Sequence, residues 1–390
     1  MADAKLRAWW ARRQGLDGSL TGQSAGEVLA RTGWARSVTG AGPYLTLFSR
    51  AGLSREQIDA AIADTAIHEL PAARGCTYVL PSAEYALGLK VGQQFTENEN
   101  RVAAKLGVTD DEIARLRKAI LIALANGPLD PDAIRTAVGA AARSLGPDGV
   151  KKGITTTLPV ALGSMQSDGE IRRISTNGRL DNQRYKYALW EPNPLAKWKL
   201  TAEQSFAELA RRYFSWTGGA SMSEFQWFSG LSGKAAKAAT ANLKLETLAD
   251  DRLILPENRA AFENFQTPKH PQYVLVSSLD GLNQLRRELK SLVAPEDQGR
   301  VDRESQKAVV DLSNHAIFDR GRLAGLWAYD TDTATIAWMS FVKPDRALKD
   351  AVATTETFVR EQLGDARSFS LDSPKSRVER IAELRKAASA

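Results

Sequence analysis

Apolar side chains recur at helical spacing near the middle of the chain, and glycines separate the segments that carry them. One face of a helix that ends at Gly218-Gly219 is marked by Phe206, Leu209, Tyr213 and Phe214. A second helix is predicted over residues 223–228 and a third over residues 234–243, before a turn at residues 250–251. This order predicts a winged helix-turn-helix unit, an arrangement that can place a helix in a DNA groove.

A similar order occurs in the first part of the chain. Helices are predicted over residues 6–13, 24–31 and 55–63, and Ser54 begins the last of them through the capping pattern Ser-Arg-Glu-Gln. Two short strands are predicted to follow, over residues 67–70 and 76–80. The pattern therefore predicts a first winged-helix module over residues 1–92.

The next part of the chain repeats this order at larger size. Helices are predicted over residues 95–106 and 110–125, from about residue 132, and over residues 150–166. Alternating polar and apolar side chains then predict a hairpin with strands at residues 171–174 and 185–190. We therefore predict a second module over residues 93–195, with a linker at residues 191–194, and a third over residues 196–265.

Strand patterns dominate after residue 266. Strands are predicted over residues 273–276, 307–312, 316–318, 323–329 and 335–339, and helices over residues 281–292 and 346–363. These segments predict a fourth module, residues 266–390, built on a small antiparallel sheet or partial barrel. The predicted fold class is α+β, with tandem winged helix-turn-helix modules and a C-terminal β-rich module.

The composition predicts a folded cytoplasmic protein. The 390 residues are 43% hydrophobic and 25% charged, and the net charge of +6 favours an anionic partner. The single cysteine, Cys76, excludes an intrachain disulfide and fits a reducing compartment. No uninterrupted apolar stretch of about 18 residues occurs, so we expect no membrane segment. The histidines, His68, His270 and His315, share no helical spacing, so we expect no metal site.

Basic residues occur on the predicted third helices and on the hairpin of the second module. Lys151 and Lys152 stand near the start of one predicted third helix, and three lysines of the next module are spaced three and seven apart, near one helical stripe. The candidates for DNA binding are Lys151, Lys152, Arg172, Arg173, Arg179, Arg184, Lys186, Lys234, Lys237 and Lys244. The alternative is that these residues are solvated faces of ordinary helices, but their positions favour contacts with DNA phosphates.

Three segments together resemble the AlkZ-like, YcaQ-type winged-helix DNA glycosylases. Residues 73–81, Ala-Arg-Gly-Cys-Thr-Tyr-Val-Leu-Pro, are similar to the Arg-Gly-Thr-Leu-His-Leu-Val-Pro stretch of that family, and residues 206–231 and 315–327 are also similar. The resemblance implies a bacterial DNA repair protein. It also implies three tandem winged helices and a C-terminal β-rich module around a basic concave surface.

The catalytic residues implied by the resemblance are replaced in this chain. In the family, a Gln-x-Gln or Gln-x-Asp pair positions the water that attacks the anomeric carbon of the sugar, and the matching positions here are Arg36 and Val38. Neither side chain can do this. A shift of one residue gives Ser37 and Thr39, which can hold a water but cannot act as a carboxylate base.

Other residues of the same cleft could supply the missing chemistry. The family's histidine in residues 73–81 is replaced by Tyr78, and the remaining acids considered for the role are Glu69 and Glu84. The missing pair favours, first, a monomer that binds double-stranded DNA without glycosylase chemistry. The second hypothesis is an active monofunctional glycosylase that releases an alkylated or crosslinked base without a cofactor. The third is a dimeric transcription regulator that binds a palindromic operator.

Overall fold

The computed structural model describes residues 3–248, 251–286, 289–299 and 312–388. The α-helices of this part are α1 (Ala4–Arg13), α2 (Ala25–Thr32), α3 (Gly42–Ala51), α4 (Arg55–Ala63), α5 (Tyr85–Lys105), α6 (Asp110–Leu124), α7 (Pro131–Val138), α8 (Gly146–Lys151), α9 (Thr157–Ser167), α10 (Ala202–Thr217), α11 (Met222–Ser229), α12 (Gly233–Thr240), α13 (Pro256–Asn264), α14 (Gly281–Gln284), α15 (Arg346–Phe358) and α16 (Pro374–Ala388). The strands are β1 (Ala35–Arg36), β2 (Ile67–Pro71), β3 (Thr77–Pro81), β4 (Ile171–Ser175), β5 (Tyr185–Leu189), β6 (Glu246–Thr247), β7 (Leu253–Ile254), β8 (Tyr273–Val276), β9 (His315–Asp319), β10 (Arg322–Asp330) and β11 (Thr335–Ser340).

The first folding unit consists of α2, β1, α3, α4 and the β2–β3 hairpin. Ser24 and Ser54 each begin the following helix with a capping box, in which the hydroxyl and the side chain three residues later satisfy backbone N–H groups reciprocally. The prediction for Ser54 is therefore confirmed. Strand β1 pairs with β3, and β3 pairs with β2, all antiparallel.

The same order recurs in two further units of the described chain. In the second unit, Leu129 follows α6 and pairs with Tyr187 in β5, the second strand of the β4–β5 hairpin. In the third unit, Ala220 follows α10 and pairs with Leu253 in β7, the second strand of the β6–β7 hairpin. In each unit the segment after the first helix therefore pairs with the second strand of the hairpin, which folds the hairpin back onto its own helices.

The structure corrects two predicted helices of the second unit. The helix expected to begin near residue 95 is part of α5, which begins at Tyr85 and runs through the boundary predicted after residue 92. The helix expected over residues 150–166 is divided into α8 and α9, because Gly153 has a φ of 74° and Thr156 is extended. Lys151 and Lys152 therefore lie at the end of α8 and not at the start of the third helix.

The C-terminal strands form an open antiparallel sheet in the order β11-β10-β9-β8. The strands predicted over residues 273–276, 316–318, 323–329 and 335–339 are confirmed. Of the strand predicted over residues 307–312, residues 307–311 lie outside the described residues. The described strands form the small antiparallel sheet, which is the first of the two predicted forms, and they do not close into a barrel. Helix α15 is extended by a π-helical turn, Val359–Leu363.

Buried apolar side chains join the units to one another. Tyr44 and Leu45 of α3 share a cluster with Ile317 and Trp327 of the C-terminal sheet. A second cluster joins the β2–β3 hairpin to α10 and α11, and a third joins α1 to the C-terminal sheet. The N-terminal unit is therefore packed against both the third unit and the C-terminal sheet.

Candidate functional site

A cavity of about 220 Å³ lies between the first unit and the β4–β5 hairpin of the second. Its walls come from the loop after β1, from α4, from β2 and from the hairpin. The lining residues are Thr39, Asp59, Ile62, Ala63, His68, Glu69, Arg172, Arg173, Ile174, Ser175, Gly178, Arg179, Leu180, Asn182 and Tyr185. The cavity thus combines acidic, imidazole and guanidinium groups.

Glu69 places a carboxylate in this cavity. It is the middle residue of β2, where it pairs with Val79 of β3, and its Oε2 accepts a hydrogen bond of 2.9 Å from Ser37 Oγ. Burial raises the pKa of the Glu69 carboxyl, while the hydrogen bond from Ser37 and the positive charges of Arg173 and Arg36 partly oppose the rise. The site therefore holds an acid whose ionisation depends on its neighbours.

The β4–β5 hairpin supplies three arginines to the cavity. The Arg173 guanidinium lies 4.5 Å from the centroid of the Tyr185 ring, a contact that holds the cation in place. Arg179 is bound to Asp181, with 2.8 Å between Nε and Oδ1. Within the described part of the chain, neither Arg172 nor Arg173 forms an ion pair, and the Nε of each is buried without a hydrogen-bond partner. Arg172 and Arg173 thus differ from Arg179, which is paired with Asp181.

His68 was not predicted as a site residue, yet it lines the cavity beside Glu69. Burial, together with the positive charge of Arg172, lowers the pKa of His68 to about 3. The imidazole is therefore neutral near pH 7. Its Nε2 has no hydrogen-bond partner among the described residues. The sequence signal was the adjacent His68-Glu69 pair on a predicted strand, but only the contact with the second unit shows its place.

A buried tyrosine ties the two units together at the cavity. Tyr44 Oη donates a hydrogen bond of 2.5 Å to Asp59 Oδ1 and accepts one of 3.0 Å from the backbone N–H of Leu180. Burial raises the pKa of the Tyr44 hydroxyl and of the Asp59 carboxyl. Because Tyr44 belongs to α3, Asp59 to α4 and Leu180 to the hairpin loop, this network fixes the cavity walls relative to each other.

The positions that match the family's catalytic pair do not line the cavity. Arg36 donates a hydrogen bond of 2.9 Å to Thr77 O, and its guanidinium lies 5.3 Å from the centroid of the Tyr78 ring. Val38 is partly buried and has no polar side-chain atom. The neighbouring Thr39 does line the cavity, with its hydroxyl directed to Val38 O at 2.6 Å. The structure therefore brings Ser37, Thr39 and Glu69 together and leaves Arg36 and Val38 outside.

Glu84, the other acid weighed from the sequence, lies away from the cavity. Its Oε2 accepts a hydrogen bond of 2.6 Å from Trp34 Nε1, and its Oε1 forms an ion pair of 2.6 Å with Arg212 Nη1. The Glu84 side chain is 1% exposed. This carboxylate joins the first unit to α10, and both of its oxygens are occupied by protein partners.

The basic residues predicted from the sequence occupy separate places. Arg172, Arg173 and Arg179 meet in the cavity, and the exposed candidates outside it are Lys151, Lys152, Arg184, Lys186, Lys234, Lys237 and Lys244. Lys234 and Lys237 lie on α12, but this helix ends at Thr240 and Lys244 has a φ of 50°. The expected single helical stripe therefore contains two lysines, because the chain leaves the helix before the third.

The described residues contain neither a candidate metal site nor a candidate membrane helix. No cluster of three or more potential metal-ligating side chains occurs there. No helix of this part is long and apolar enough to cross a membrane.

Comparison with known proteins gives one family and one fold. The sequence profile of the family described as DNA glycosylase AlkZ-like matches residues 29–367, a range that contains every residue lining the cavity. No curated protein matches the chain. Among solved structures, the DNA glycosylase AlkZ of Streptomyces sahachiroi is similar, with a TM-score of 0.70 over 95% of this chain and 99% of that chain, at 18% sequence identity. At this identity the structural likeness shows a shared fold.

Proposed function

Because the chain belongs to the AlkZ-like DNA glycosylase family, we propose that it binds double-stranded DNA and hydrolyses the N-glycosidic bond of an alkylated or crosslinked base. When the sequence was taken alone, Arg36 and Val38 at the positions of the family's catalytic pair favoured a protein that has lost this chemistry. The observation that supports the chemistry is the Glu69 carboxylate in the cavity, held by Ser37 Oγ at 2.9 Å. Glu69 supplies the acceptor that the two motif positions lack.

In the proposed reaction, a water molecule held by the Glu69 carboxylate attacks C1′ of the damaged nucleotide. The bond between C1′ and the base nitrogen breaks, and its electron pair moves to the base. The water oxygen bonds to C1′ while its proton passes to Glu69. The carboxylate also stabilises the positive charge that develops on the sugar in the transition state. The products are the free base and an abasic site.

The repeated units support the binding of duplex DNA. We interpret each of the three units as a winged helix. In each unit the helices are followed by a hairpin, and the segment after the first helix pairs with the second strand of that hairpin. The proposed modules are residues 1–92, 93–195, 196–265 and 266–390, and α5 joins the first two. Arg172 and Arg173 are proposed to contact phosphates beside the nucleotide that enters the cavity. Further phosphate contacts are proposed for the exposed lysines and Arg184.

Substitution of Glu69 tests the chemistry. We expect Glu69→Gln to slow the release of alkylated bases from duplex DNA by roughly 10²- to 10⁴-fold, because a neutral amide cannot take the proton of the attacking water. Binding of the duplex should be retained. The melting temperature should stay the same or rise, because burial already disfavours the charged form of Glu69. Base release is measured by chromatography, and binding by fluorescence anisotropy.

Glu84→Gln is the matched control. It also removes the charge of a buried glutamate, but one that is paired with Arg212 outside the cavity. We expect it to lower the melting temperature and to leave base release per folded molecule unchanged. Equal rates for Glu69→Gln and the wild type, in a preparation that releases base, would show that Glu69 has no catalytic role.

A second candidate function is DNA binding without base release. Arg36 and Val38 at the positions of the family's catalytic pair favour it. It predicts that the wild-type protein binds duplex DNA with an affinity that falls steeply as salt is raised, because bound phosphates release counterions. It also predicts that no base is released from alkylated DNA. This combination of results would support the second candidate over the first.

A further inference from the structure

We propose that Leu371, together with Phe369, is a wedge that enters the base stack of duplex DNA when a nucleotide turns into the cavity. The proposal rests on the proposed function and adds two positioning residues to it. An enzyme that acts on a base must take it out of the stack, which leaves a gap in the duplex. Apolar side chains inserted between base steps are a known way in which proteins unstack DNA.

Leu371 and Phe369 are two exposed apolar residues on one turn. The Leu371 residue is 81% exposed and Phe369 is 44% exposed, although both carry large apolar side chains. A single exposed apolar side chain is ordinary on a protein surface, so exposure alone does not indicate a role. The argument therefore depends on how the turn that carries these two side chains is built and where it lies.

The turn at residues 368–373 is held by its own hydrogen bonds. The backbone N–H of Ser368 donates to Asp372 Oδ2 at 2.9 Å, and the backbone N–H of Asp372 donates to Phe369 O at 3.0 Å. Asp372 is buried and forms an ion pair with Arg380 of α16. Phe369 and Leu371 therefore project from a fixed frame, as a wedge requires.

The same turn contacts one of the cavity walls. Gln183 Nε2, next to the lining residue Asn182, donates to Ser370 O at 2.9 Å. Arg367, just before the turn, donates from Nη2 to Asp181 O in the same hairpin loop. The turn is thus joined to the hairpin that carries the cavity's arginines.

A second contact joins the turn to the loop that contains Thr39. Arg367 Nε donates to Thr39 O at 3.0 Å, and the backbone N–H of Ala41 donates to Arg367 O at 2.9 Å. A Cβ atom at Gly40 would lie 2.5 Å from Ser368 O, so the two backbones approach closely. The exposed pair therefore stands on a rigid turn attached to two segments that line the cavity.

Charges near the turn favour DNA as the partner. Arg184 and Lys186 are exposed on the hairpin that contacts the turn, and Lys375 is exposed just after it. Cations on these two segments, together with an exposed apolar pair, match a duplex, whose phosphates surround an apolar base stack. The apolar pair would contact the bases, and the exposed cations of the hairpin and of the segment after the turn would contact phosphates.

Leu371→Ala and Phe369→Ala test the wedge, and Ile122→Ala is the matched control. Ile122 is 65% exposed on α6 and does not line the cavity. The probe is a duplex with one N7-methylguanine next to 2-aminopurine, whose fluorescence rises when it is unstacked. Base release is measured with each variant as a single substitution. Fluorescence is measured with each variant combined with Glu69→Gln, so that the duplex is bound but the base is not released. We expect Leu371→Ala to lower base release at saturating protein by about 10- to 100-fold and to abolish the fluorescence rise.

A second substrate separates positioning from structural damage. When the damaged base lies opposite an abasic site, less stacking must be broken, so the defect of Leu371→Ala should shrink to a few-fold at most. Leu371→Met should retain most of the wild-type rate, because it keeps a long apolar side chain. A misfolded variant would stay defective on both substrates.

The outcomes distinguish the wedge from the proposed chemistry. If the wild type releases base and Leu371→Ala matches Ile122→Ala in rate and fluorescence, the wedge is wrong and the chemistry stands. If the wild type releases no base but raises the fluorescence through Leu371, the wedge stands and the chemistry fails. If Leu371→Ala changes only self-association or vesicle binding, the pair serves another partner and the wedge is overturned. A wild type that does not bind the duplex overturns both.

Discussion

At the scale of single residues, the ionisation of Glu69 determines whether the proposed base is present. Burial raises the pKa of this carboxyl, and the hydrogen bond from Ser37 is the largest effect that opposes the rise. A general base acts only in its ionised form, so its rate should rise with pH through its pKa. The Ser37 hydroxyl is therefore expected to lower the pH at which the proposed base ionises.

We expect the rate of base release to rise with pH through a pKa above the usual range of a glutamate. In Ser37→Ala the anion of Glu69 loses a donor, so its pKa should rise further and the rate profile should move to higher pH. Single-turnover base release across a pH series measures this. Ser49→Ala, which removes a hydroxyl bonded to Thr46 O outside the cavity, is the control. An identical profile in Ser37→Ala would contradict the role of Ser37.

His315 shows the opposite case, a titratable residue whose role is structural. Its Nδ1 accepts a hydrogen bond of 3.0 Å from the backbone N–H of Ser278, and its Nε2 lies 2.6 Å from Ala366 O. Because an amide can only donate and a carbonyl can only accept, the ring is neutral with its proton on Nε2. Burial lowers the pKa of His315 to about 4.

The free energy of unfolding should therefore fall as the pH is lowered from about 6.5 to about 4. In this window the histidine of the unfolded chain binds a proton and the folded one does not. The contribution of the neutral His315 to the free energy of unfolding is therefore fully present above the unfolded pKa and is lost as the pH falls towards the folded pKa. For His315 the loss is on the order of 3 kcal/mol. Urea unfolding at pH 7 and pH 4.5 measures it. His315→Gln should be less stable at pH 7 but lose less on acidification, whereas exposed His270→Gln should follow the wild type.

At the scale of elements, the β9–β10 turn depends on a glycine that is closely packed. Gly321 has a φ of 75°, and a Cβ atom added to it would lie 2.0 Å from Arg7 O in α1. The turn therefore needs glycine both for its backbone conformation and for the approach of α1. Gly364, after the π-helical turn, has a φ of 78° with no heavy atom within 4 Å of an added Cβ.

These two glycines separate backbone strain from steric contact. We expect Gly364→Ala to cost about 1–2 kcal/mol, the usual penalty of the left-handed conformation for an L-residue. Gly321→Ala should cost more than 4 kcal/mol, since α1 must also move away. Urea unfolding of both variants gives the comparison. Equal losses would mean that the contact with Arg7 adds nothing.

At the scale of the whole molecule, a buried ion pair joins the first unit to the segment between β8 and α14. Arg50 Nη1 of α3 lies 2.7 Å from Asp280 Oδ2, and the two side chains are 1% and 0% exposed. Arg50 Nη2 also donates to Gln14 Oε1 at 3.1 Å. Each group neutralises the charge of the other in the protein interior. Loss of the Asp280 carboxylate would leave the Arg50 guanidinium buried without a counter-charge.

We expect Asp280→Asn to lower the free energy of unfolding by about 3–5 kcal/mol, because Arg50 then stays buried without its counter-charge. Glu257→Gln breaks the exposed pair with Arg211, whose side chains are 53% and 52% exposed, and should cost under about 1 kcal/mol. Denaturant unfolding of the two variants measures the difference. A small loss in Asp280→Asn would show that the pair does not hold the units together.

Local patterns in the sequence were sufficient for most of the elements. The capping box at Ser54, the apolar face of α10 and the strands β8 to β11 all follow from residues close in the chain, because capping and side-chain periodicity act over a few positions. The family resemblance also came from short segments. The division between α8 and α9 was missed, because an isolated Gly153 does not show from sequence that the backbone will leave the helix.

The site needed the tertiary structure. From the sequence, Glu69 and Glu84 were equivalent candidates, and only folding places Glu69 in the cavity and Glu84 against Arg212. Ser37, Glu69 and Arg173 are far apart in the chain and meet because β1 pairs with β3 and the hairpin of the second unit packs on the first. Burial and charge, which determine the pKa of Glu69, are properties of that packing. They are therefore set by contacts between residues far apart in the chain, within the first unit and between it and the second, which no local pattern encodes.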